Sequence, residues 1–299
     1  MVGRNILEHS EAVNHEIICP NSQQLNLLDR DAVRYHFKTA APDVVIHAAG
    51  RVGGIQANIA SPVDFLQQNL DMGFNVISTA ASLNISNLIN LASSCMYPRH
   101  ANNPLREDMI LTGELEPTNE GYALAKIATT KLCEYIVKED PSKNYRTLVP
   151  CNLYGRHDKY DPKNSHLIPA VIRKIHEAKL SGKTIVDVWG DGTARREFMY
   201  AHDLADFIFT AIDNLDLIPQ NLNVGMGHDY SIFDYYEAVA AVVGFDGDFE
   251  FDLSKPVGMR QKLVDISNLQ SLGWSHKVDL IDGIRRSYMF FKENLSDGI

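Results

Sequence analysis

Cysteine is scarce in this chain: four in 299 residues, Cys19, Cys95, Cys133 and Cys151, so widely spaced that no CxxC pair forms. That argues against a disulfide scaffold and a thiolate zinc site. The eleven histidines show neither HExxH nor another paired spacing, so no metal is expected. Basic runs are missing as well. Lys and Arg number 28 against 38 Asp and Glu, a formal net charge of −10, and a chain without a polybasic stripe has little to track a phosphate backbone. Nucleic acid is therefore not an expected partner. No apolar stretch approaches the roughly 20 residues that cross a bilayer, and the first residues lack a basic region followed by an apolar one. The expectation is a cytoplasmic protein with free thiols and no membrane association. Its length and its 45% hydrophobic content fit one large or two moderate globular domains.

What is present is an alternation. Apolar runs at 16–19, 43–49, 87–92 and 145–149 have strand length and are rich in β-branched residues, whereas 31–39, 63–83 and 121–137 carry helical periodicity, with Val33 and Phe37 inward in the first. Strands separated by helices of this length predict an α/β fold with a doubly wound parallel sheet. After Tyr154 a polar loop leads into a periodic helix at 167–178, a strand at 184–189 and a later strand at 221–224. This reads as a smaller C-terminal α/β lobe. The expected division is 1–150 for a dinucleotide-binding domain, with a return segment near 184–225, and 151–299 mainly for a substrate lobe, with a cleft between them.

Tyr122 and Lys126 lie four apart on a predicted helix and so share one face. An ammonium beside a phenol favours phenolate and brings its pKa toward neutrality, which suits an acid serving a developing alkoxide. Alone, this spacing is common on surface helices. Ser93-Ser94-Cys95 directly follows a predicted strand, at the carboxyl end where open α/β sheets bind ligands. A strand-end serine cap beside a buried, inert cysteine is the alternative there.

With these residues the chain resembles the extended short-chain dehydrogenase/reductase superfamily, and within it the GDP-L-fucose synthase family. The matching segments run in order: 25–29 (LNLLD), 48–55 (AAGRVGGI), 92–98 (ASSCMYP), 116–127 (EPTNEGYALAKI), 152–158 (NLYGRHD), 164–170 (NSHLIPA), 188–198 (VWGDGTARREF) and 255–258 (KPVG). The resemblance implies a Rossmann-like fold, 3,5-epimerisation of GDP-4-keto-6-deoxy-D-mannose and NADPH-dependent reduction at C4. A close rival is the GDP-L-colitose synthase branch, which acts on a 3,6-dideoxy keto-sugar and inverts only C5. From another class, the chain could be a catalytically silent sugar-nucleotide-binding remnant.

The resemblance also implies roles for individual residues. Ser93 would hydrogen-bond the sugar C4 oxygen, Tyr122 would donate the proton, and Lys126 would support Tyr122 and hold the nicotinamide ribose. Cys95 and His166 would be the epimerisation pair. Protons at C3 and C5 flank a ketone, so removing one gives an enolate, and inversion then needs a base and an acid on opposite faces. A small buried hydrophobe and a helix-capping loop residue are the bland readings of these two. The related 4,6-dehydratases need an acidic residue where Cys95 stands. Gly3, Ala48, Ala49, Asn152, Leu153 and His166 would join Tyr122 and Lys126 in binding the cofactor. Lys174, Trp189, Arg196 and Lys262 would bind the GDP-sugar. A homodimer through the helices near 63–83 and 121–137 is expected on the same ground.

One part of the pattern differs. Residues 1–7 match the end of a dinucleotide-binding motif, with Gly3 its last glycine: either the start is misassigned or the chain is truncated, and in the latter case the expected sheet lacks the motif's first strand and has an exposed internal edge. The run 16–19 ends without an Asp or Glu for a ribose 2′-hydroxyl. That permits NADP, yet the Arg expected to meet its 2′-phosphate is also missing, and Ser22 or Arg4 is the candidate in its place.

Overall fold

A computed structural model describes residues 1–161, 165–254 and 259–294. Of the matching segments, 255–258 and Asn164 lie outside the described residues. The elements run α1 (Val2–Leu7), α2 (Arg30–Ala40), β1 (Val44–His47), α3 (Ile55–Ala60), α4 (Pro62–Ser82), β2 (Asn87–Leu91), α5 (Glu120–Glu139), β3 (Asn144–Pro150) and β4 (Asn152–Tyr154). They continue with α6 (Leu167–Leu180), β5 (Ile185–Trp189), β6 (Arg195–Arg196), β7 (Phe198–Tyr200), α7 (Ala201–Asp213), β8 (Asn221–Val224), β9 (Tyr230–Ser231), α8 (Ile232–Val243), β10 (Asp248–Asp252), β11 (Gln261–Lys262), α9 (Ser267–Ser271) and α10 (Leu280–Asn294).

The main sheet has the order β1-β2-β3-β8, with every pair parallel. Because the connections are helical crossovers, the loops after β1, β2, β3 and β8 all emerge at the carboxyl edge. Local chemistry sets the helix limits. Asp29 caps α2 by accepting from the Asp31 and Ala32 amides, and α4 starts with Pro62 in its first turn. Helices α4 and α5 pack so closely that a Cβ on Gly73 would strike the Thr129 side chain, so only glycine permits this approach.

Side-chain alternation along the strands divides the core. Leu88 and Tyr145 join Val33, Phe37, Val76 and Ile77 on one face, whereas Ile89, Leu148 and Leu222 meet Leu204, Phe207 and Ile208 of α7 on the other. Each such large apolar side chain contributes about 1.5–3 kcal/mol through burial. A third cluster joins α6, α8 and α10 through Ile172, Val239 and Ile284 and takes in Val186 and Val188 of β5.

The run 16–19, expected as a strand, is not one. Among the described residues β1 pairs only with β2, and an extended segment becomes a strand only where a neighbour's N–H and C=O groups face it. The other predicted strands and helices are present within a few residues of their expected limits.

Candidate active site

Ser93 lies two residues beyond β2, and its hydroxyl accepts from the Cys95 amide at 3.3 Å. It also hydrogen-bonds Tyr122. One turn along α5, the Lys126 ammonium stands 5.8 Å from the Tyr122 ring centroid and donates to the Leu91 carbonyl at 2.8 Å. The last residue of β2 thus seats Lys126, and the three residues of the predicted reducing set come together. Their electrostatics differ from the expectation that lysine draws the phenol toward neutrality. Burial, with the neighbouring Cys95, pushes Tyr122 above its ordinary value against the opposing Ser93 bond. Tyr122 is therefore held protonated, as a proton donor must be. Burial also lowers Lys126 to about 8.

The donor set fits a nicotinamide ribose. Leu91 is the only hydrogen-bond acceptor of Lys126 among the described residues, which leaves ammonium donors for a diol. Space beside it is kept by Gly50, where a Cβ would lie 3.8 Å from Nζ and 3.0 Å from Asn69 Oδ1. Asn69 fixes this loop, accepting from the Arg51 amide at 2.9 Å and donating to the Arg51 carbonyl at 3.1 Å. Ala48 and Ala49 begin the same loop at the end of β1, Gly3 lies in α1, and Asn152 and Leu153 lie in β4 beside β7.

Cys95 sits in a short turn, Ser94–Met96, and is half-buried. Asn119 Nδ2 donates to its Sγ at 3.2 Å, and Lys262 Nζ approaches to 3.8 Å. Lys262 is buried on β11, directly across from Arg196 on β6. The Arg196 guanidinium is drawn below its ordinary value by burial, while Glu116 and Cys95 act on it in the opposite direction. Lys262 and Arg196 thus bring positive charge to the side of the Cys95 sulfur.

His166 immediately precedes α6, and its side chain makes no capping hydrogen bond among the described residues. Burial, assisted by Lys159, lowers its pKa below the ordinary histidine value. Lys159 in turn donates to the Val52 carbonyl at 3.0 Å, tying the loop before α6 to the loop after β1. No hydrogen bond joins His166 to Cys95 among the described residues. Lys174 is held by Asp187, at 2.6 Å from both its carbonyl and its carboxylate, and Trp189 is exposed at the end of β5.

Three residues escaped the sequence reading. Asn119, three before Tyr122, could have been suspected from its place in the motif. Asn69 carries no local signal for this role, because the Arg51 backbone that it holds lies 18 residues away. Glu197 adjoins Arg196, but nothing in the sequence marks it as buried.

The NAD dependent epimerase/dehydratase family matches residues 1–225. A GDP-L-colitose synthase of Yersinia pseudotuberculosis is 55% identical, covering 97% of this chain and 94% of its own. A GDP-L-fucose synthase of Azorhizobium caulinodans is 50% identical, over 97% and 93%. Among solved structures, a GDP-mannoheptose C4 reductase from Campylobacter jejuni with NADP bound has a TM-score of 0.87 at 32% identity, covering 97% of this chain and 95% of that one.

Proposed function

The chain belongs to the NAD dependent epimerase/dehydratase family, and from that premise we propose that it epimerises and then reduces a GDP-4-keto-6-deoxy-sugar, as a GDP-L-fucose synthase does. The observation that carries this reading is the thiol of Cys95, flanked by Lys262 and adjoining the Ser93, Tyr122 and Lys126 set. Cys95 as thiolate removes a proton next to the C4 ketone, and the electron pair moves onto the ketone oxygen as an enolate. His166 returns a proton to carbon from the opposite face. Its lowered pKa makes it a stronger acid whenever it carries that proton. Lys262 and Arg196 offset negative charge on the thiolate and on the diphosphate.

For the second step, NADPH supplies a hydride to C4 when bound. Ser93 holds the C4 oxygen and Tyr122 gives it a proton, so the ketone becomes an alcohol. Lys126, seated on the Leu91 carbonyl, would hold the ribose with its remaining donors and keeps positive charge near the phenol as its proton leaves. Residues 1–150 serve the cofactor and 151–299 mainly the sugar nucleotide in this reading. Its further parts are a cytoplasmic location and a homodimer through α4 and α5, both of which expose apolar side chains such as Phe74 and Tyr135.

Incubation with GDP-4-keto-6-deoxy-mannose and NADPH in deuterated water tests the reading. Deuterium at both C3 and C5, with loss of NADPH absorbance, is expected; a reduced product carrying no deuterium would overturn the epimerisation. The 55% identity to a GDP-L-colitose synthase favours a second reading. Competition with the 3,6-dideoxy keto-sugar decides, since preference for it with deuterium only at C5 establishes the colitose branch.

A further inference from the structure

Glu197 lies between Arg196 and Phe198 and is almost wholly buried, at 1% exposure. Among the described residues its carboxylate is met by three backbone amides rather than by a cation. Oε1 accepts from Met226 at 2.5 Å and Gly227 at 2.9 Å, and Oε2 accepts from Val264 at 3.0 Å. Burying a carboxylate costs several kcal/mol, and here burial raises its pKa to about 7 against the opposing amide bonds. No space is left around it: a Cβ on Gly225 would fall 2.5 Å from Oε1 and 2.7 Å from Val264 Cγ2.

The three amides share a purpose. Val264 is two residues beyond Lys262, and the β11 to β6 register sets Lys262 against Arg196. The bond from Val264 to Glu197 therefore fixes where β11 lies along β6. Met226 and Gly227 begin the loop that carries Asp229, whose carboxylate accepts from Arg195 at 2.7 Å and Gln261 at 2.6 Å. Two carboxylates, Glu197 and Asp229, thus clasp this small sheet, which presents Lys262 3.8 Å from the Cys95 sulfur.

We propose that Glu197 is a positioning residue that sets the Lys262 ammonium and the Arg196 guanidinium against the Cys95 thiol. It acts through backbone and touches no substrate. The proposal rests on the reading of Cys95 as the epimerising thiol only for its biological meaning, because its consequence for the sulfur can be measured without substrate. In Glu197→Gln the amide oxygen can keep Met226 and Gly227, but its NH2 then faces the Val264 amide donor to donor. The disturbance is confined to the strand that carries Lys262.

The test is alkylation of Cys95 by iodoacetamide at neutral pH and low salt, read by mass spectrometry of the Cys95 peptide. A Cys19→Ser background removes the exposed thiol, and Cys133 and Cys151 are buried. Glu197→Gln is expected to slow alkylation about fivefold by withdrawing the cation from the thiolate. Lys262→Met should slow it similarly, and the double variant should be no slower than either single one. A purely structural Glu197 would lower the melting temperature and leave the Cys95 rate unchanged; that result, or fully additive effects in the double variant, overturns the proposal. Should Glu197→Gln not fold, Gly225→Ala displaces the carboxylate sterically and keeps its charge, and an unchanged Cys95 rate there overturns it equally. A chain that fails to convert the keto-sugar while showing the expected alkylation pattern would defeat the proposed function and leave the role of Glu197 standing.

Discussion

The reducing set and the thiol set adjoin one another but draw on the chain differently. Ser93, Tyr122 and Lys126 come from one strand end and the next helix: Ser93 bonds Tyr122, and Lys126, 5.8 Å from the Tyr122 ring, is seated on the Leu91 carbonyl. Cys95 shares that strand end, but the cations beside it arrive from far away, Lys262 from β11 and Arg196 from β6, and His166, its proposed partner, stands at the start of α6. In the proposed reading, reduction rests on a contiguous unit, whereas epimerisation depends on how the later part of the chain packs against it. The first arrangement is hard to disturb selectively, and the second can be altered by residues that touch no substrate.

The largest expected effect separates the two sets at once. Tyr122→Phe should lower the reduction rate by about 10²- to 10⁴-fold while leaving deuterium exchange at C3 and C5 within about twofold. Loss of both together would mean that the sets act as one. Cys95→Ser is the converse, with exchange down by about a hundredfold or more and reduction retained on a keto-sugar supplied already epimerised. NMR of the sugar ring protons reads exchange, and NADPH absorbance reads reduction.

Two smaller effects follow from charge. Lys126 is lowered to about 8, so reduction that needs its ammonium should decline above that pH, by roughly tenfold one unit higher. The matching stability change has the opposite slope. Between about 8 and the ordinary value of 10.5, the unfolded chain binds this proton and the folded chain does not, so the contribution of Lys126 to stability rises with pH. Comparing thermal melts of wild type and Lys126→Met across that interval isolates it. Lys159→Gln should have the least effect: His166 moves back toward its ordinary value, and the alkaline limb of C3 and C5 exchange shifts upward by about a few tenths of a pH unit. An unmoved limb would separate Lys159 from the acid of the epimerisation half.

Legibility followed the same division. Val33 and Phe37 in α2, the β-branched run of β1 and the long helices α4 and α5 were readable because periodicity is local. Ser93, Tyr122 and Lys126 were readable because four residues of helix and one strand end bring them together. The strand expected at 16–19 failed for a non-local reason, since an apolar run contains no information about whether a partner edge lies beside it. Asn69 and Glu197 were missed for that reason too: both act on backbone groups distant in sequence.

Sequence alone determined the alternating α/β order, the parallel sheet it implies and the shared helix face of Tyr122 and Lys126, because spacing within one helix or along one strand is dictated by backbone geometry. Tertiary structure decided the protonation of that set, as burial outweighs the Ser93 hydrogen bond and holds Tyr122 as an acid. It alone decided that Lys262 meets Cys95, because a contact between residues 167 positions apart exists only once the intervening chain has packed.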